Sequence, residues 1–263
     1  LPDAPILADS VTRLDASAVG RVVVTGSHGG VYAAYLARKA GCRAAIFHDA
    51  GVGLDRAGIG GLDWLGAQGM AAAAVDCTSA DIGNAAQMLA HGRLSHVNAI
   101  AARLGLRAGM GCAPAAAMLD AAPTAGGDCP EIREGRRVLT PPGAVRRLVL
   151  IDSAALVVAD DAGQVVVTGS HGALFGGDPA NALKVNAYMA VFNDAGGGCG
   201  TSRLPALQAR GVAAATVAAR SARIGDATST WEDGIVSACN PAAATLGARL
   251  SMTARELVAR ALA

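Results

Sequence analysis

Aromatic residues are nearly missing from this chain: two Trp, three Tyr and three Phe make up 3 % of its 263 residues. A core therefore has to be built from Ala, Val, Leu and Ile at close packing distance. Few ring faces are left for stacking on a large planar ligand. Lysine is scarce too, at Lys39 and Lys184 alone, and the net charge is +1 with no basic block. Nucleic acid and anionic membrane both call for clustered Lys or Arg, so neither is expected as a partner. The six cysteines, at 42, 77, 112, 129, 199 and 239, never fall into a C-x-x-C pair. This excludes zinc-ribbon and thioredoxin-type chemistry and fits free thiols in a reducing compartment. No apolar run approaches the ~18 residues of a membrane span. Leu1–Ser10 has neither the basic nor the apolar region of a secretion signal. The expectation is a cytoplasmic protein.

What the chain does have is a repeat. Arg21-Val-Val-Val-Thr-Gly-Ser-His-Gly29 returns as Gln164-Val-Val-Val-Thr-Gly-Ser-His-Gly172. Upstream, Asp9-Ser10 matches Asp152-Ser153; downstream, Phe47-His-Asp-Ala-Gly51 matches Phe192-Asn-Asp-Ala-Gly196. Residues 62–110 align without a gap on 204–252, with 22 identities in 49 positions. Alanine bias can inflate such a count, but it cannot produce an eight-residue identity containing Ser and His. We expect a tandem duplication. Residues 1–110 form a first α/β repeat, 111–147 a Pro- and Gly-rich connector with a short helix at 115–121, and 148–263 a second α/β repeat ending in a helix.

Short apolar runs without alternation suit strands buried on both faces. They fall at 22–24, 44–47 and 71–75, and again at 165–167, 189–192 and 213–217. Helices are expected at about 31–40, 59–67 and 93–104, and at the counterpart positions. Alternating strands and helices imply an α/β fold with mainly parallel sheets, and two such units are expected to relate by a pseudo-twofold axis.

In parallel α/β folds the carboxyl ends of strands receive ligands, and the Thr-Gly-Ser-His-Gly strings stand there. Ser27, His28, Ser170 and His171 are the candidate chemical groups. Gly26, Gly29, Gly169 and Gly172 would let backbone N–H groups approach a substrate. The plain alternative is that Ser27 caps the following helix. Asp49 and Asp194, at the ends of the next strands, could orient a His as in hydrolytic triads, or only fix a turn. Ser27 and His28 are chain neighbours, so their side chains diverge and make a poor nucleophile–base pair within one copy. Cys199, in a Gly-rich stretch, is a candidate nucleophile. Arg223 with Asp226 could clamp a carboxylate or carbonyl.

Thr25-Gly26-x-x-x-Gly30 resembles the opening of a short-chain dehydrogenase. Tyr32 replaces the third glycine of that pattern, however, and Ala173 replaces Gly30 in the second copy.

These residues favour a small-molecule enzyme: a hydrolase of an amide, cyclic amide or related carbonyl compound, with one site formed between the repeats. The alternatives are a non-catalytic binding protein for a small anion, and an isomerase or lyase with paired proton-transfer groups. No cofactor is expected. Were a divalent metal used, His28, His171, Asp49 and Asp194 would be its ligands. The expected partner is a small-molecule substrate, with a homo-oligomer as an option.

Overall fold

The apolar runs form the strands, and the polar residues after them extend two of those strands. The computed structural model describes residues 3–263. It is a mixed α/β structure with two sheets, of five and six mostly parallel strands, with helices between them. The chain divides into two compact units. One holds the residues up to Val52 together with Arg56–Arg133; the other holds Gly53–Asp55 and Glu134–Ala263.

In the first unit the elements run β1 (Ile6–Ala8), β2 (Val22–His28), α1 (Val31–Lys39), β3 (Ala44–His48), α2 (Gly60–Ala67), β4 (Ala71–Val75), α3 (Ala85–His91), β5 (Leu94–Val97), α4 (Ala99–Arg103) and α5 (Cys112–Leu119). The sheet order follows the chain, β1-β2-β3-β4-β5, parallel throughout except for the antiparallel β5. Successive side chains of a strand face opposite ways, so each strand feeds two cores. Val22, Val24, Ile46 and Ala73 pack with Met88, Ala115 and Leu119 on one face. Val23, Phe47, Ala72 and Ala74 pack with Ala34, Ala37, Leu62 and Leu65 on the other. Alanine makes this close layering possible: four of the five residues of β4 are Ala, and all five are buried.

The second unit runs β6 (Arg136–Leu139), β7 (Leu148–Ile151), β8 (Val165–His171), β9 (Met189–Asn193), α6 (Arg203–Ala209), β10 (Ala213–Val217), α7 (Ala227–Glu232), β11 (Val236–Cys239), α8 (Pro241–Thr245) and α9 (Ala254–Leu262). Strands β7 to β10 are parallel, and β6 and β11 are antiparallel edges. The C-terminal helix α9 buries Leu257, Val258, Ala261 and Leu262, as its spacing predicts. No helix of the described residues is long and apolar enough to cross a membrane.

Three sequence expectations need correction. The helix expected over 93–104 is the strand β5 followed by the short helix α4. Gly92 ends α3, and Leu94-Ser-His-Val97 then pairs with β4. The expected counterpart of α1 does not form: after His171 the chain makes two 3-10 turns, Phe175–Gly177 and Pro179–Asn181. One cause is local, since Gly176-Gly177 and Pro179 break a helix. The other is Arg203. In the first unit Gly61 N–H donates to Gly29 O (2.8 Å), and α1 packs directly on Gly61. In the second, Arg203 N–H makes the same bond to Gly172 O (2.8 Å). Its buried guanidinium fills the space where a helix would pack, donating to Ala173 O (3.0 Å) and Ala182 O (2.6 Å). Lastly, the segment 111–147 is not bare connector. The helix α5 begins at Cys112 and packs into the first core, and β6 belongs to the second sheet.

Candidate functional site

Strand β2 runs past its apolar residues to His28, which stands beside His48 of β3. Ser27 does not cap α1. Gly30 holds the N-cap position of that helix, and Ser27 Oγ accepts Val11 N–H (2.9 Å). In the second unit Ser170 Oγ accepts Ala154 N–H (2.9 Å). An oxygen that accepts keeps its own hydrogen to donate, so both hydroxyls remain donors at a strand end.

His28 is partly buried, and its Nδ1 accepts Gly30 N–H (3.1 Å). That bond places the ring proton on Nε2. Burial, and then the neighbouring His48, push the pKa of His28 down to about 4. The ring is thus neutral at pH 7, a donor through Nε2–H and no general base through Nδ1. His171 occupies the matching strand end, opposite Asn193 of β9.

His48 is fully buried. Its Nδ1 accepts Ala50 N–H (3.0 Å), and Nε2 bonds Ala80 O (2.9 Å). Asn193 does the same work with an amide: Oδ1 accepts Ala195 N–H (3.0 Å) and Nδ2 donates to Ala222 O (2.9 Å). What reads in the sequence as divergence between His48 and Asn193 is one donor–acceptor pair made in two ways. The variant His48→Asn keeps one donor and one acceptor on a shorter side chain and should therefore cost about 1–2 kcal/mol. His48→Ala should cost about 2–4 kcal/mol, because it strands a buried N–H and a buried carbonyl. Burial holds His48 below its ordinary pKa as it does His28. The unfolded chain therefore binds more protons once pH drops under about 6.5. Stability from these rings is fully present above that pH and is lost as pH falls below it. Urea midpoints at about pH 7.5 and about pH 5 should diverge less in His48→Asn than in the parent. An equal gap would remove His48 from the account.

Asp49 follows His48, so β2–β3 pairing brings it to the same end of the sheet as Ser27 and His28. Its buried carboxylate is turned to the backbone instead, with Oδ1 accepting Gly51 N–H (2.8 Å) and Cys77 N–H (3.0 Å). Asp194 Oδ1 likewise accepts Ala219 N–H (2.7 Å). Each Asp thus ties one strand end to the loop after the next strand. Cys77 lies against this carboxylate, and burial with Asp49 pushes its thiol up to about 11. The thiol of Cys199 donates to Gly196 O (3.3 Å), a bond made by S–H and not by a thiolate.

The four glycines are sites of close backbone approach. A Cβ on Gly26 would lie 2.7 Å from Asn84 N, Asp9 O and Gly83 C. One on Gly169 would meet Asp226 N, Gly225 C and Asp152 O. At Gly29 it would meet Leu62 Cδ1 at 2.9 Å, and at Gly172 it would meet Gly200 O and Thr216 Cγ2. Arg223 binds Asp55 at 2.7 Å and stands further from Asp226 (3.9 Å) and Asp233 (3.8 Å). Asp226 is chiefly the N-cap of α7, as Asn84 is of α3. Among the described residues, no group of three or more His, Cys, Asp or Glu is placed to hold a metal ion.

The sequence reading passed over Asp9 and Asp152, although both precede Ser in the repeated strings. Asp9 Oδ1 accepts Ala85 N–H (2.9 Å) and Asp152 Oδ1 accepts Ala227 N–H (3.0 Å). They fix the helix starts beside the two glycines.

No family model matches the chain, and neither a curated protein nor a solved structure matches it.

Proposed function

We propose that this chain is a small-molecule enzyme acting on an amide, cyclic amide or related carbonyl compound, with its Thr-Gly-Ser-His-Gly strand ends as carbonyl-binding elements. One observation carries the reading. Ser27 Oγ and His28 Nδ1 both accept backbone N–H groups, which leaves a hydroxyl hydrogen and an imidazole Nε2–H as neutral donors at one strand end. Each such donor, on its own side of the strand, can stabilise charge that develops on a carbonyl oxygen. The role assigned to His28 is electrophile, not base, and water is the attacking group. The repeated strings and the matching bonds of Ser27 with Ser170 and of His48 with Asn193 support an origin by duplication.

The same commitment of the Ser hydroxyls to backbone N–H groups favours a second reading, a binding protein for a small carboxylate or other anion. A panel of linear amides, lactams, cyclic imides and cyclic ureides separates the two. The parent protein should convert at least one member by adding one water, to a ring-opened product heavier by that water for a cyclic member or to an acid and an amine for a linear amide. The variant His28→Gln should lower kcat on the order of a hundredfold while keeping the parent Tm. Thermal stabilisation by carboxylates with no product from any member would establish the binding reading in its place. Neither product nor stabilisation would sink both.

A further inference from the structure

The two sheets differ at one edge. In the second unit the outer edge of β7 is covered by β6, antiparallel, with Arg136 opposite Ile151 and Leu139 opposite Leu148. In the first unit β1 is itself the edge strand. The two edge regions are otherwise built alike. Strand β1 pairs in parallel with β2 as β7 does with β8. Asp9 and Asp152 each hold a helix start, and Val11 and Ala154 each donate to the Ser of the repeated string. The covering strand makes the difference in burial. Leu150 of β7 is 2 % exposed, whereas Leu7 of β1 is 44 % exposed.

Beside β1 lies an open cleft of about 450 Å³, lined by β1 itself, Asp9, Asp15 and Ala86. Asp9 and Ala86 match Asp152 and Thr228, which β6 contacts in the second unit, whereas Asp15 stands at the N-cap position that Val158 holds there. There, Gly135 N–H donates to Asp152 Oδ2 (2.6 Å), Arg137 reaches Thr228 beside the start of α7, and Arg136 forks onto Asp161 in the turn after β7 (3.0 and 2.8 Å). In the first unit Asp9 gives Oδ1 to Ala85 N–H, and Oδ2 is the atom an incoming N–H would take. The turn after β1 supplies a carboxylate at Asp15, whose Oδ1 accepts the Ser17 N–H (2.9 Å) and hydroxyl (2.6 Å), bonds that favour its ionised form. Arg13 also lines the cleft, so two carboxylates face one guanidinium and the charge favours a cationic guest.

We propose that the edge of β1 is a docking site for an extended, arginine-bearing peptide strand, which adds antiparallel to β1 as β6 adds to β7. Main-chain bonds to the edge would supply affinity. Cover over Leu7 would add apolar burial. An arginine placed over Asp15 would set the register as Arg136 does on Asp161.

The test is a fluorescence-anisotropy titration of the full chain with a labelled peptide of sequence Arg-Glu-Gly-Arg-Arg-Val-Leu-Thr, that of residues 133–140. Saturable binding in the micromolar range is expected. Replacing both adjacent arginines of the peptide by glutamate should abolish it, and proline at its leucine, whose counterpart Leu139 pairs with Leu148, should do the same by removing an N–H. On the protein, Asp15→Asn should weaken binding about tenfold, with the fold checked by circular dichroism. Absence of saturable binding would overturn the proposal, as would binding indifferent to both peptide changes. Concentration-dependent dimerisation of the chain alone, which the peptide fails to reverse, would assign the edge to a second copy and overturn it too.

Discussion

Replacing Asn98 by alanine should destabilise the first unit by roughly 3–5 kcal/mol. Asn98 is buried and uses its whole amide. Oδ1 accepts Ala101 N–H (3.0 Å) and Ala72 N–H (3.2 Å), and Nδ2 donates to Met70 O (2.9 Å) and Leu62 O (3.1 Å). One side chain thereby caps α4, pins the first residues of β4 and holds a carbonyl in the first turn of α2. Truncation leaves two N–H groups and the Met70 carbonyl without that partner, while Leu62 O keeps the bond of its own helix. Asn240 makes the same four bonds in the second unit, to Ala243, Ala214, Val212 and Leu204. Asn240→Ala should cost a similar amount there. The two Trp residues let the units be followed separately, since Trp64 lies on α2 and Trp231 on α7. In a Trp231→Phe background, the urea midpoint seen by fluorescence should move sharply for Asn98→Ala and little for Asn240→Ala. A loss below about 1 kcal/mol in the first unit would mean that water or repacking satisfies the stranded groups.

The variant Gly26→Ala should lose about 3 kcal/mol or more. The new Cβ would meet three backbone atoms at 2.7 Å, and backbone cannot swing aside as a side-chain tip can. Gly83 N–H also donates to Gly26 O (2.8 Å), so the strand and the loop before α3 would be forced apart at their point of closest contact. Gly126→Ala is the control. It is exposed, and its Cβ would find nothing within 4 Å, so a change within about 0.5 kcal/mol is expected. Equal costs at the two positions would show that backbone entropy, and not the close approach, sets the value. The glycine of the repeated string is therefore explained by packing alone, and the proposed chemistry rests on Ser27 and His28.

Much of the fold was legible because apolar runs mark buried strands whatever their partners. The bounds of β4 and β10 are those the alanine- and valine-rich runs predict. Reading failed where a strand left its apolar stretch. Ser27 and His28 extend β2 through backbone pairing that residue type does not signal. It failed again at β5, whose Leu-Ser-His-Val looks like part of a helix until Gly92 ends the preceding one. The site residues were visible as a repeated string, but their bonds were not. Val11 lies 16 residues before Ser27, and Ala80 lies 32 after His48. No local pattern shows such partners. The equivalence of His48 and Asn193 was hidden for the same reason: it consists of the bonds made and not of the letters.

The alanine of β4 has a consequence for how this molecule can lose its structure. Alanine has no rotamers to free, so ordering it costs no side-chain entropy and disordering it gains none. The middle of the first sheet is Ala44, Ala45 and Ala71–Ala74, flanked by Ala33, Ala34 and Ala37 on one face and Ala115 and Ala116 on the other. A state with mobile side chains on a persisting backbone draws its advantage from side-chain freedom. This interior offers little of that freedom, so the layers hold their spacing until the backbone bonds themselves give way.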